Sequence, residues 1–451
     1  MATFDKKAPG VYVEEISKLP PSVASVATAI PGFVGYTEKG TKNTAIRVES
    51  LIDFEEKFGY ACKIAISEED KIDGLEYKLH ESMRLFYANG GGICYVVSVG
   101  NYTDAISNTA LETGISMLEP IDEVTMIVVP DAVSLEIKDL ASVQNAALAQ
   151  CLELKDRVAI LDVKDTGNCN TDATNFRNSI GTKGASYGAA YYPYIKSVYD
   201  REINVYDIYK GLELSNQELE NAQYYAELSE PTEESTLFAK QLMSKPEYAK
   251  LVAKIQEQAN LLPPSGAIAG IYCANDNQRG VWHAPANMSV SGISDINVRI
   301  SDKQQGELNE NTSGKCINAI RAFQGKGILV WGARTLDGLS SEWKYISVRR
   351  FFNYVEESIQ ESTAWAVFQP NDANTWVKVR CQIENFLSNL WRDGALAGST
   401  PQEAFYVRVG INQTMTAQDI LNGYMIVEIG MAAVRPAEFI VLQFSHKLQE
   451  S

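Results

Sequence analysis

The chain has 451 residues, 45% of them hydrophobic and 22% charged, and its 40 basic against 57 acidic side chains leave a net charge of −17. The apolar fraction suffices to bury a core, which excludes disorder for the bulk, and the length calls for two or three domains. So acidic a surface excludes general binding to a phosphate backbone, which needs clustered Lys and Arg.

Residues 1–22 contain no apolar stretch of the kind a secretory signal needs, and no run of about 18 apolar residues is present to cross a membrane. This first segment reads as an arm. Val11, Tyr12 and Val13 have strand character and lead into Glu14 and Glu15, while Pro20-Pro21 keeps the segment out of a helix. It has no hairpin partner beside it, so it pairs either with an edge of its own domain or with a neighbouring chain.

Leu75, Leu79, Met83 and Phe86 follow helical spacing, Gly90-Gly91-Gly92 stops that helix, and Ile93–Val97 reads as a buried strand. The alternation continues with a strand at Val124–Val129, a helix at Ala141–Leu152, and strands at Val158–Val163 and Ala185–Tyr194. Strand and helix in turn predict an α/β sheet with crossover connections. Residues 201–260, with 6 basic and 11 acidic side chains, read as a helical acidic insertion on the exterior of that domain.

The strongest Pro/Gly punctuation lies at Leu261–Gly266, where the charge also changes: a net of −15 over 1–262 against −2 over 263–451. The predicted division is therefore an arm at 1–22, an α/β domain at 23–262, an α+β domain at 263–435 and a tail at 436–451. Gly270–Gly280 reads as a polar loop. Two amphipathic helices follow. In the first, Val348, Phe351, Phe352, Val355 and Ile359 line one face, and Arg349, Arg350, Asn353 and Glu357 the other. In the second, Asn371 or Asp372 caps the start, Trp376, Val379, Ile383, Phe386, Leu387 and Leu390 form the stripe, and Gly394 ends it. Strands are predicted at Ala404–Val409 and Tyr424–Ile429. The tail Glu438–Phe444 is apolar on both faces, a second candidate for pairing between subunits.

The search for chemistry is mostly negative. The seven cysteines are scattered without a CxxC pair, so they read as reduced, mostly buried thiols. His80, His283 and His446 are far apart, which argues against a metal site. No P-loop is present, since Ile320 stands where its first glycine would be, and no GxSxG elbow is present either. Pro264-Ser265-Gly266 reads as a turn at a domain junction rather than a nucleophile. No catalytic residue, metal or cofactor is assigned. Two strand-like termini flanking a large chain instead fit an assembly subunit linked by β-augmentation.

At this point the sequence resembles the tail sheath proteins of contractile injection machines: myophage tails, R-type bacteriocins and extracellular systems of the antifeeding-prophage type. The matching blocks are Pro9–Glu15 with Gly32–Gly35, then Pro264–Gly270 with Arg279–Trp282 and Ala284–Asn287. Further blocks are Val330–Leu336, Val348–Phe351, Phe368–Asn371, Phe386-Leu387, Gly394–Leu396 and Pro436–Phe439. The resemblance implies an outer, subtilisin-like α/β domain without a catalytic triad, and an inner C-terminal α+β domain completed by strands exchanged between subunits. It carries the exchange onto Val11, Tyr12, Val13, Glu14 and Glu15, and onto Phe439, Ile440, Val441, Leu442 and Phe444.

It further implies a helical homo-oligomer around an inner tube protein, with baseplate and tail terminator or cap proteins as partners, and without nucleic acid or membrane insertion. Such a particle is assembled in the bacterial cytoplasm and is part of a virion or released as a phage-tail-like particle. Arg349, Arg350, Lys378 and Arg392 are the candidates for the tube contact, with ordinary salt bridges inside the domain as the alternative. Two other readings stay open: a hydrolase on the α/β domain and a non-contractile shell or filament subunit.

Overall fold

The computed structural model describes residues 23–66, 71–228, 230–310 and 313–439. The described residues divide into two compact units: a larger one of 26–356 with 435–439, and a smaller one of 23–25 with 357–434.

The larger unit is built on a nine-stranded sheet. Its strands lie in the order Met288–Ser289, Gly327–Val330, Ile317–Phe323, Gly188–Tyr192, Val158–Asp162, Met126–Val128, Pro31–Tyr36, Cys94–Gly100, Ala45–Val48. The six from Ile317–Phe323 to Cys94–Gly100 are mutually parallel, and the outer ones are antiparallel. Alternate residues of each parallel strand feed opposite cores. Val34, Val97, Ile127, Ala159 and Ala190 pack with the helices Asn108–Ser116, Ile137–Leu154 and Cys169–Ser179. Phe33, Val96, Val128, Ile160 and Ala189 pack with the helices Leu79–Ala88 and Ser265–Arg279. A parallel sheet covered on both faces needs such near-continuous apolar strands.

The predicted alternation is realised with shifted ends. The first helix starts at Leu79, so Leu75 lies outside it. Ala185–Tyr187 is a short 3₁₀ turn leading into the strand Gly188–Tyr192. The insertion contains the helices Asn216–Ala226, Glu233–Met243 and Pro246–Ala259 around a small core of Val205, Tyr209, Leu212, Ala222, Phe238 and Leu242. Arg201 roots it. Its guanidinium pairs with Glu81 and donates to the carbonyls of Gly74 and Tyr77, with both charged side chains buried.

The boundary expected between 262 and 263 is not where the structure divides. Ile317–Phe323 pairs directly with Gly188–Tyr192, so the sheet runs through that point. Pro264 caps a helix, and Gly270–Gly280, read as a loop, forms most of it. The polar residues suggested a loop, but the early turns are apolar and buried. Two glycines explain the fit. A Cβ at Gly266 would lie 2.6 Å from the Ser82 carbonyl oxygen, and one at Gly270 would lie 2.4 Å from that of Phe86. The two helices therefore touch backbone to backbone. The division instead falls inside the helix Ile346–Thr363.

The smaller unit has the helix Ala373–Arg392, capped by Asp372, whose carboxylate accepts the Thr375 N–H. Its buried stripe is Val379, Ile383, Phe386, Leu387 and Leu390. An antiparallel pair, Phe405–Val409 with Val427–Met431, completes it.

Gly270→Ala should destabilise the larger unit by about 1–3 kcal/mol, because neither helix backbone can yield without opening the core. A lowered urea midpoint would show this; an unchanged one would mean the helices part easily.

Candidate functional site

Four basic residues were the candidates for the tube contact, and the structure separates them. Arg349 and Arg350 do not lie on a polar helix face; both are buried. Arg350 meets Asp276 at 2.6 Å, donates to the Thr28 carbonyl at 2.8 Å, and lies over the Tyr272 ring at 4.7 Å. Burial works against its charge, and the touching Asp276 carboxylate more than restores it. Arg349 is sandwiched by Trp343 and Tyr187, 3.9 and 4.7 Å from their ring centres, and its Nε donates to Asn353. Asn353 is itself buried, so the helix is enclosed all round in its first two turns. An amphipathic pattern cannot distinguish a solvated arginine from one given a partner by a distant element. Lys378 and Arg392 are exposed on Ala373–Arg392 in the smaller unit.

Of the exchange residues, Val11–Glu15 and Ile440–Phe444 lie outside the described residues. Phe439 is the last described residue and is exposed.

In the smaller unit, the strands Phe405–Val409 and Val427–Met431 form a sheet of two, so each has one unpartnered edge among the described residues. Val407 and Val409 are buried, while Tyr406 and Arg408 face outward with Glu428 beside them. The unit also exposes Val367, Phe368, Val377, Leu421, Tyr424 and Ile426. Phe368 is wholly exposed at φ 64°, a conformation that bulky residues rarely adopt. The adjoining loop is tied down by Asn371, which accepts from the Trp376 indole and donates to the Tyr424 carbonyl.

In the larger unit an open groove of about 660 Å³ is lined by Gln305, Arg321, Trp331, Tyr345, Glu438 and Phe439 among others. Arg334, nearly inaccessible, grips Glu438 there. Its Nε lies 2.9 and 3.1 Å from the two carboxylate oxygens, and a second guanidinium nitrogen lies 2.6 Å from one of them. The third nitrogen donates to the Asn309 carbonyl at 3.0 Å, and the Tyr345 hydroxyl donates to Glu438 at 3.2 Å. Burial disfavours the arginine's charge, and Glu438 overcomes this, so its pKa is raised. Val330–Leu336 and Pro436–Phe439 each stand out as blocks in the sequence, and nothing in either signals that they meet.

Ser265 is fully buried at the start of its helix, and its N–H donates to Asp162 at 2.9 Å. Burial outweighs that bond and pushes Asp162 up to about 7. His80 instead faces Glu55 at 3.2 Å and the rings of Phe54 and Tyr60. All seven cysteines are unpaired, five of them buried. Among the described residues, no cluster of three or more His, Cys, Asp or Glu could hold a metal, and no helix is long and apolar enough to cross a membrane.

Fold and surfaces together define a mixed α/β protein distinguished by open strand edges and exposed apolar side chains. Its sequence matches the phage tail sheath protein central domain over residues 104–336 and the phage tail sheath C-terminal domain over 340–447. The chain belongs to the phage tail sheath protein family.

Among curated relatives, the tail sheath protein of Vibrio phage KVP40 is 23% identical over 192 residues, 42% of this chain and 27% of that protein. A putative prophage major tail sheath protein of Pseudomonas aeruginosa is 24% identical over 180 residues, 40% of this chain and 45% of that one. The aligned part thus spans less than half the length of these relatives. Solved structures match end to end. A contracted PVC sheath complex of an extracellular contractile injection system gives a TM-score of 0.69 at 32% identity, covering 99% of both chains. The contracted helical sheath of the anti-feeding prophage gives 0.66 at 30%, covering 97% of this chain and 99% of that one.

Arg350→Met leaves Asp276 buried without its cation and should cost about 3–5 kcal/mol. Lys378→Glu, on the surface, should stay within about 0.5 kcal/mol. Urea midpoints compare the two; equal shifts would contradict the internal role of Arg350.

Proposed function

We propose that the chain is the polymerising subunit of a contractile sheath. Copies assemble helically around an inner tube, and the lattice shortens to drive that tube through a target envelope. The observation that carries this is the end-to-end likeness to two contractile sheath structures, at 30% identity or above. The sheet of two in the smaller unit supports strand exchange, because its open edges can accept extended segments from other copies. The donors are Val11–Glu15 and Phe439–Phe444. The larger unit, a parallel sheet with helices on both faces, supports the subtilisin-like reading of its fold.

Donor and acceptor surfaces differ, so the contact is heterologous and propagates as a ring or helix. Contraction is a rigid-body rotation passed from layer to layer, in which tube contacts break and lateral contacts grow. Burying about 100 Å² more apolar surface per subunit contributes about 2.5 kcal/mol. Summed along the lattice, that gain drives the motion, and exposed side chains such as Phe368 and Leu421 supply apolar area for it. Lys378 and Arg392 are the remaining basic candidates for a releasable tube contact. Baseplate and terminator proteins close the two ends, and assembly takes place in the bacterial cytoplasm.

Electron microscopy of the purified chain should show hollow tubes. Removing residues 1–22 or 440–451 should leave unassembled subunits that still fold; tubes formed by either truncated chain would contradict strand exchange. Reversing Lys378 and Arg392 to Glu should spare self-assembly and abolish co-assembly with the tube. Unchanged co-assembly would remove the electrostatic contact.

A further inference from the structure

We propose that the Arg334–Glu438 pair is the root of the C-terminal arm: a positioning device that fixes where the chain stands, and in which direction it runs, as it reaches Phe439. The inference rests on the strand-exchange reading above, and it concerns a joint in this chain rather than the exchange itself.

The geometry is that of a built receptor. The Arg334 backbone is held independently of Glu438. Its N–H donates to the Asn318 Oδ1 at 2.7 Å, and its carbonyl accepts from the Asn318 Nδ2 at 2.8 Å. Asn318 is fully buried in the strand Ile317–Phe323, so the arginine backbone is locked to the central sheet. One guanidinium nitrogen is taken by the Asn309 carbonyl, which leaves the other two for Glu438. Glu438 fills that fork with both oxygens, and bidentate pairing fixes direction as well as distance. Tyr345 adds a third donor to the same carboxylate. Three residues earlier, Arg435 donates to the Ser341 carbonyl, giving the segment a second point of attachment.

Pro436 lies between these two attachments and restricts the backbone there. Glu438 is about one-fifth exposed, while Phe439 is 73% exposed. A carboxylate gripped by a buried arginine one residue before the exposed Phe439 acts as a cleat. A pull on the following residues loads the central sheet instead of peeling the preceding segment. Glu438 is itself about one-fifth exposed, so its replacement is made at the rim of the groove rather than within the core.

The test compares the full chain with Glu438→Gln, Arg334→Lys and a chain ending at Phe439, by thermal melting, sedimentation with electron microscopy, and chymotrypsin cleavage after Phe439. Glu438→Gln should melt within a few degrees of the full chain. It should be cleaved faster at Phe439 and need at least about tenfold more protein to form tubes, as expected for one lost charge-assisted contact. Arg334→Lys, which keeps the charge but not the fork, should show the same pattern. Assembly or cleavage unchanged in Glu438→Gln, while the chain ending at Phe439 fails to assemble, would overturn the cleat and leave strand exchange standing. Tubes from the chain ending at Phe439 would overturn both. A Glu438→Gln body that no longer folds would make the pair part of the core and overturn the proposal.

Discussion

Covering a parallel sheet on both faces is the constraint from which the larger unit follows. Each parallel strand must be reached by a crossover, and each crossover helix must lie on one face. The side chains of Pro31–Tyr36, Cys94–Gly100 and Val158–Asp162 therefore alternate between two apolar cores and leave no sheet face for solvent or ligand. Polar chemistry inside such a body is confined to joints. Arg201 with Glu81 roots the insertion, and Arg350 with Asp276 joins two helices and the Thr28 carbonyl. These pairs specify geometry more than they stabilise, since buried ion pairs roughly break even against apolar replacements.

The smaller unit obeys the opposite logic. A sheet of two strands is marginal by itself, and a row of unpaired N–H and C=O groups is a template for further strands. Soluble monomers blunt such edges. Here the outward face carries Tyr406 and Arg408, and apolar side chains such as Leu421 and Tyr424 stay exposed. On the proposed strand exchange, a polymer would complete an arrangement from which a monomer gains nothing. The same incompleteness makes a catalytic pocket unnecessary to the proposed function, because the work comes from contacts made in sequence.

The α/β alternation of the first 200 residues was legible because buried parallel strands are short apolar runs separated by amphipathic helices. The cap at Asp372 and the stripe from Val379 to Leu390 were legible for similar local reasons. What misled was punctuation. Pro263-Pro264 signals a break in any sequence, yet a proline at a helix start breaks nothing, and the glycines that follow serve close packing rather than a loop. Long-range partnership was also hidden. Nothing near Arg350 indicates that Asp276, on an earlier helix, will neutralise it, and nothing in Pro436–Phe439 indicates that Arg334 receives its glutamate. Blocks that looked like family signatures of one kind thus divide physically into helix contacts, buried ion joints and an arm anchor.

A lattice that shortens and stays whole needs its contacts ranked. Tube contacts must be weaker than the lateral gain, which in turn must not exceed what holds each exchanged strand. An exposed ion pair of the Lys378 or Arg392 type contributes about 0–1 kcal/mol, and about 100 Å² of new apolar contact contributes about 2.5 kcal/mol. Backbone pairing along a donated strand sums several hydrogen bonds of about 0.5–1.5 kcal/mol each. Such a strand resists shear only if the end that meets its own body does not peel. Peeling breaks those bonds one at a time, each within thermal reach, whereas a rigid root makes them fail together. On the proposed strand exchange, the bidentate grip on Glu438, set into the central sheet through Asn318, would provide that root.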